Sequence, residues 1–275
     1  MTTAHLRQRW YLLNPPASPA EKRRARAVAD AVSGSLVRRG ATAVVLGGSW
    51  ARGDAHRESD LDLWVFGLGS GSDVLWRDGF MVTVKRTTER SERTKLRTPP
   101  HVGGSVPGWR VALPIHDQEG TAQRLKAQAE GFQWSEVSTK CEKWVAEQIV
   151  GWAEEAVKLV RALASGNDAT AAVQRDLLAD HLGFVMAIQR RMFWDSENEF
   201  WDRIGREVGG DWGRAQRRAL GVTRGTLEES CRAALWLYAV SAKTVWGPLK
   251  PEQQAVASNT IRVSGLPLTT IGSPR

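Results

Sequence analysis

The sequence predicts an α+β protein: an N-terminal mixed sheet with flanking helices, followed by a C-terminal helical bundle. Three observations carry that prediction. Short apolar runs bounded by glycine and proline occupy residues 42 to 115. From Trp134 onward strand signals vanish, and apolar residues recur at helical spacing. The composition, 42% hydrophobic and 25% charged over 275 residues, allows two packed units.

Residues 19–39 are predicted as a helix, with "RAVADAVSGSLV" placing apolar residues on one face and Gly40 closing it. "TAVVL" (42–46) reads as a buried strand that runs into Gly47 and Gly48. "LDLWVF" (61–66) is a second strand, "GLGSGS" a glycine-rich turn, and "GFMVTVKR" (79–86) a third strand by its alternation. "RTPPHVGGSVPG" reads as a loop, "WRVALPI" (109–115) as a fourth strand, and "EGTAQRLKAQAEGF" as a helix. This first domain is expected over residues 1–131. The stretch 138–167 carries apolar residues at 141, 145, 149, 152, 156, 159 and 163, one continuous helical stripe. A further helix follows with Asp168 as its cap, "SENE" (196–199) and "TLEE" (226–229) read as capping boxes, and Gly247 with Pro248 stops the last helix. The bundle is expected over 132–249 and an irregular tail over 250–275.

The N-terminal residues lack an apolar run of signal-peptide length, and "AALWLYAV" (233–240) is too short to span a bilayer. Cys141 and Cys231 have no metal-ligand spacing and read as buried thiols, so a cytoplasmic location is expected. A net charge of +8 favours anionic partners, but the basic residues are scattered and form neither a nucleic-acid motif nor an amphipathic membrane helix. Nucleic acid and membrane are therefore not expected as partners.

The chemistry concentrates in "GGSWARGDAHRESDLDLWVF", residues 47–66. Residues two apart on a strand face one side, so Asp60 and Asp62 project together while Leu61, Leu63 and Val65 face the other way. Two carboxylates about 5 Å apart repel by about 3 kcal/mol at an effective dielectric of about 20. Such a pair calls for a cation, and hard oxygen ligands suit Mg²⁺. The Gly48-Ser49 turn supplies backbone amides and a hydroxyl at the start of a short helix, suited to phosphate. Metal on one side and a phosphate cradle on the other describe phosphoryl or nucleotidyl transfer.

The run Gly48-Ser49, ten residues, then Asp60-Leu61-Asp62 resembles the signature of the nucleotidyltransferase superfamily that includes DNA polymerase beta. More narrowly it is similar to the small bacterial antibiotic nucleotidyltransferases, the kanamycin nucleotidyltransferase type, through Ser49, Arg52, Gly53, Ser59, Asp60 and Asp62. The resemblance implies Mg²⁺, an NTP (ATP first) as co-substrate, and a small-molecule hydroxyl as acceptor. It assigns the metal to Asp60 and Asp62, and the nucleotide to Gly48, Ser49, Arg52 and Ser59. The family usually carries a third carboxylate on the neighbouring strand, where this chain has Thr83. In the helical half, Glu154 and Lys158 are i,i+4 neighbours. They are similar to a glutamate base and a phosphate-binding lysine of the family, and equally describe an exposed ion pair. Two other readings remain open: a nucleotide-binding protein with weakened catalysis, which Thr83 favours, and an antitoxin-like nucleotidyltransferase modifying a protein, which the long helical half opposes.

Two further patterns carry less. "RDLLADH" (175–181) has the arginine-histidine spacing of helical ribonuclease domains, a pair that recurs by chance. "DSENEFWD" (195–202) fits a helix N-terminus, where acids oppose the helix dipole. Of 13 tryptophans most are expected in the core, with Trp50 and Trp64 near the motif.

Overall fold

The computed structural model describes residues 15–266. The signal-peptide reading of residues 1–14 and the end of the expected tail, 267–275, lie outside the described residues. The chain divides into two compact units. The first runs to Arg97 and resumes over Gly104–Gln133; the second comprises Thr98–Gly103 and the chain from Trp134.

The first unit opens with helix α1 (Pro19–Arg38), started by a capping box between Ser18 and Glu21 with Pro19 in its first turn. Strands β1 (Ala43–Leu46), β2 (Leu61–Phe66), β3 (Gly71–Arg77), β4 (Phe80–Arg86) and β5 (Leu113–Asp117) form one sheet in the order β3-β4-β2-β1-β5. The β2–β4 pair is parallel and the others are antiparallel, so the sheet is mixed as the sequence predicts. Alternation decides what each face holds. Leu61, Leu63 and Val65 of β2 and Val82 and Val84 of β4 pack with Val28, Ala29, Val32 and Leu36 of α1 in one core. On the opposite face Trp64 and Phe66 meet the buried Trp109, at ring centroid distances of 4.7 and 6.2 Å.

Several expectations are corrected here. "GLGSGS" is not all turn, because β3 begins at Gly71 and pairs with β4 along its full length. Nearly every residue of β3 is exposed, which removes the apolar alternation by which a strand is read. Within the segment read as loop and strand, residues 102–111 are instead helical. Helix α3 (Glu89–Lys95) is followed by α4 (Val102–Val111), which carries Pro107 within it. Strand β5 therefore starts at Leu113 rather than at residue 109. Helix α5 (Thr121–Glu130) ends the unit.

Among the described residues the second unit is built from helices and no strand. The stripe read as one helix is two, α6 (Ser138–Gly151) and α7 (Ala153–Ala164), parting at Trp152, whose indole stacks on His181 at 4.1 Å. Helix α8 (Asp168–Gln189) is capped by Asn167 accepting from the Thr170 amide, not by Asp168. Helices α9 (Glu197–Val208), α10 (Gly210–Ala219) and α11 (Leu227–Thr244) follow, α11 with the expected capping box at Thr226 and Glu229. At Ser196 the hydroxyl accepts from the Asn198 amide. The bundle core holds Phe184, Trp194, Phe200 and Trp201 in mutual ring contact. Tyr238, fully buried, donates to the Ile149 carbonyl at 3.0 Å and ties α11 to α6.

The expected irregular tail is also corrected: Pro251–Val263 is helix α12, with Ala257, Thr260 and Ile261 buried. Its start signal is Pro251 in the first turn. Its sparse apolar side has value only once a bundle exists to receive it. Both cysteines are free and buried. Among the described residues no helix is long and apolar enough to cross a membrane.

Candidate active site

The site is built where β1 ends. Gly47 donates its amide to the Asp62 carbonyl at 2.9 Å, continuing the β1–β2 pairing into the turn. Gly48 then adopts φ +63°, and a Cβ there would overlap the Asp62 carboxylate. Glycine is required for two reasons, the left-handed backbone and the space that Asp62 fills. A short helix, α2 (Gly48–Arg52), follows and closes on Gly53 at φ +89°. Ser49 is half-buried in its first turn. Arg52 forms an ion pair with Asp54 at 3.0 Å.

Ser59 shapes the approach to the acids. Its hydroxyl accepts from the His56 amide at 3.0 Å, and its carbonyl accepts from the Trp50 indole at 3.2 Å. Trp50 itself is buried edge-on against Phe80, 5.7 Å between centroids. The loop is thereby pinned just before Asp60. Asp60 precedes β2 by one residue and Asp62 lies within it, both half-buried. Thr83 pairs with Asp62 across the parallel β2–β4 register, and its hydroxyl donates to Asp60 Oδ2 at 3.3 Å. The residue standing where the resemblance leads one to expect an acid is thus in contact with Asp60.

The electrostatics follow from this packing. Burial, reinforced by the charge of Asp60, pushes the Asp62 carboxyl up to about 6, against the opposing pull of Arg52 and Lys85. Residues 31–102 match the family model described as nucleotidyltransferase domain. That stretch of the chain is similar to a nucleotidyltransferase domain. The matched span holds α2, both aspartates and Thr83. No curated protein matches the chain. Among solved structures it is similar to a nucleotidyltransferase-like protein from Exiguobacterium sibiricum 255-15, at 13% identity, covering 88% of this chain and 77% of that one with a TM-score of 0.48.

Nucleotidyltransferase domains generally use an NTP and a divalent metal. The residues of the matched stretch fit such an ion: two carboxylates share one face, and the ionised form of Asp62 is disfavoured by burial and then by the Asp60 charge. Among the described residues no group of three or more histidines, cysteines and acids is placed to hold a metal. Of the three other acids near the motif in sequence, Glu89 and Glu92 are engaged elsewhere. Asp78 sits in the β3–β4 turn at φ +50°. Glu89 pairs with Arg93 and Arg124. Glu92 is buried, accepting from Thr87 at 2.9 Å and from the Trp109 indole at 3.3 Å, and pairs with Lys95. Burial would raise its carboxyl, but the Lys95 and Thr87 contacts outweigh it and hold Glu92 below the usual range.

Lys85, within the matched stretch and given no role from the sequence alone, extends the site. It follows Thr83 on the same face of β4, and burial followed by the charge of Lys95 pushes its amine down. The signal for it was the alternation Met81, Thr83, Lys85.

Glu154 and Lys158 belong to the second unit. Glu154 lies in the first turn of α7, its side chain 72% exposed. Lys158 is held between Glu154 at 2.9 Å and Glu155 at 3.0 Å. Its hydrogen bond and charge keep the Glu154 carboxyl below the ordinary value, which makes it a weaker base as it stands. Arg175 and His181 have separate partners: Arg175 binds Asp176 and Ser230, while His181 meets Gln148 at 2.7 Å and is pushed down to about 4 by burial. These contacts account for both residues within the bundle.

Proposed function

We propose that the chain transfers a nucleoside monophosphate, AMP in the simplest case, from an NTP to a hydroxyl of a small molecule. The general activity, nucleotidyl transfer, is that of the domain type. The observation that carries the finer reading is the Asp60–Asp62 pair beside a glycine turn, with Asp62 raised toward neutrality by burial first and by the Asp60 charge second. A bound Mg²⁺ would neutralise developing charge on the phosphate oxygens. Asp60 and Asp62 would hold it, Thr83 orienting Asp60 through its hydroxyl. The Ser49 hydroxyl and the amides of α2 would hold the phosphates, with Arg52 lending positive charge beside Asp62. Ser59 acts by fixing the loop that delivers Asp60. Glu154 as base and Lys158 as phosphate ligand complete the proposal on the resemblance to antibiotic nucleotidyltransferases.

Calorimetry of ATP with and without Mg²⁺ tests the site, followed by a labelled-nucleotide transfer screen over hydroxylated compounds. Asp60→Asn and Asp62→Asn should each abolish Mg²⁺-dependent ATP binding. Unchanged binding in both would remove the acids from the site.

A second reading, nucleotide binding with weakened catalysis, is favoured by Thr83 in the position of a third acid. It predicts Mg²⁺-dependent ATP binding with no transfer to any acceptor.

A further inference from the structure

One face of the sheet carries an unusual group of exposed side chains next to the acids. Across the strands, Asp62 of β2, Thr83 of β4 and Val74 of β3 are paired in one row. In the next row Met81 of β4 pairs with Trp76 of β3. Val74 is 65% exposed, Trp76 71% and Met81 41%. The other face of these strands contributes Val82 and Val84 to the core, so the exposed trio shares the face of Asp62 and Thr83. Neighbouring strands lie about 4.8 Å apart, which puts β3 about 10 Å from β2. A contiguous exposed apolar patch marks a binding surface more often than a lone apolar residue does. An indole this exposed is exceptional in a chain whose Trp50, Trp109, Trp194 and Trp212 are all buried.

The strand order says which ligand this shelf meets. The Gly48-Ser49 turn follows β1, and β1 and β4 flank β2 on opposite sides. On the reading above, on which this inference rests, the phosphates lie on the β1 side. In nucleotidyl transfer the acceptor oxygen forms a bond to the α-phosphorus while the bond to pyrophosphate breaks, and the hydroxyl proton passes to a base. Entering and leaving oxygens are roughly in line. With pyrophosphate toward the turn, the acceptor enters from the β4–β3 side. We infer that Trp76, Met81 and Val74 form the acceptor subsite, and that the acceptor is an alcohol or phenol with a flat apolar or aromatic body. Lys85 on the same face, in a chain of net charge +8, disfavours a polycationic amino sugar there.

The test uses the full chain with naphthylethanol as an aromatic alcohol, glucosamine as a cationic one, and ATP with Mn²⁺. Saturation-transfer NMR should show naphthylethanol bound and glucosamine not. Trp76→Ala should weaken naphthylethanol about tenfold, the scale of one lost aromatic contact, and Trp76→Phe should retain most of it. Trp76 is a surface residue, so both variants should melt like the wild type. Calorimetry should find Mn²⁺–ATP binding unchanged in Trp76→Ala and lost in Asp62→Asn. ATP binding lost in Trp76→Ala would overturn the inference by giving the shelf to the nucleobase. A dimer in sedimentation that Trp76→Ala dissolves would overturn it in favour of a second copy, as would naphthylethanol binding that is absent or indifferent to Trp76. ATP binding that survives Asp62→Asn would instead remove the reading of the acids, while Trp76-dependent naphthylethanol binding would still establish the shelf as a subsite.

Discussion

Asp62 concentrates the tension of the site in one side chain. Its carboxyl moves from an ordinary 3.8 to about 6, through burial first and the Asp60 charge second. An acid whose folded value is raised contributes stability that is complete below the unfolded value and is lost as pH rises through the folded one. In the metal-free protein that window runs from about pH 4 to about pH 6. Asp62→Asn removes the charge and keeps the shape, so at pH 7 it should be more stable than the wild type by up to about 3 kcal/mol. Below about pH 4 the gain should vanish, because Asp62 is then neutral in both states. Thermal melts across pH decide this, and a gain that does not change with pH would show that the charge is not its cause. Gly48 belongs to the same account, since any side chain there would displace the Asp62 carboxylate.

At the scale of elements, the parallel β2–β4 pairing determines what surrounds the acids. Its register sets Thr83 against Asp62 and aims the Thr83 hydroxyl at Asp60. Thr83→Asp would place a third carboxylate in the cluster. The metal-free variant should lose stability as a third like charge is confined, and Mn²⁺ should bind more tightly or in greater number, read by titration with electron paramagnetic resonance. Unchanged Mn²⁺ binding together with unchanged stability would place Thr83 outside the metal's reach. The neighbouring helix α3 contributes indirectly: Glu92 buries its carboxylate against Trp109 and holds Lys95, whose charge acts on Lys85.

For the molecule as a whole, the test is whether the helical unit takes part in the chemistry. As the base, Glu154 converted to Gln should lower turnover by about 10²-fold, the lower scale of general-base catalysis, with ATP affinity nearly unchanged. An exposed ion pair with Lys158 alone predicts no change in rate, and single-turnover kinetics distinguish the two. The division of labour between sequence and fold follows the range of the interactions concerned. The motif from Gly48 to Asp62, α1 with its Ser18 cap, and β1, β2 and β4 were legible because their signals are local: a glycine turn, a capping box, and apolar alternation over one packed face. The remainder depends on partners distant in sequence. Strand β3 carries little apolar signal and exists because β4 offers it an edge. Helix α4 overrides its glycines and Pro107 because Trp109 is buried against Trp64 and Phe66, while Gly103 lies where a Cβ would overlap the Trp194 indole. Helix α12 has few apolar residues of its own and is held by the bundle that receives Ala257 and Ile261. The sequence alone therefore determined the acids, the turn and the class of fold, through contacts between near neighbours in the chain. Only the tertiary structure decided that Thr83 touches Asp60 and that Trp76 stands exposed beside them, because strand pairing joins residues that the chain itself keeps apart.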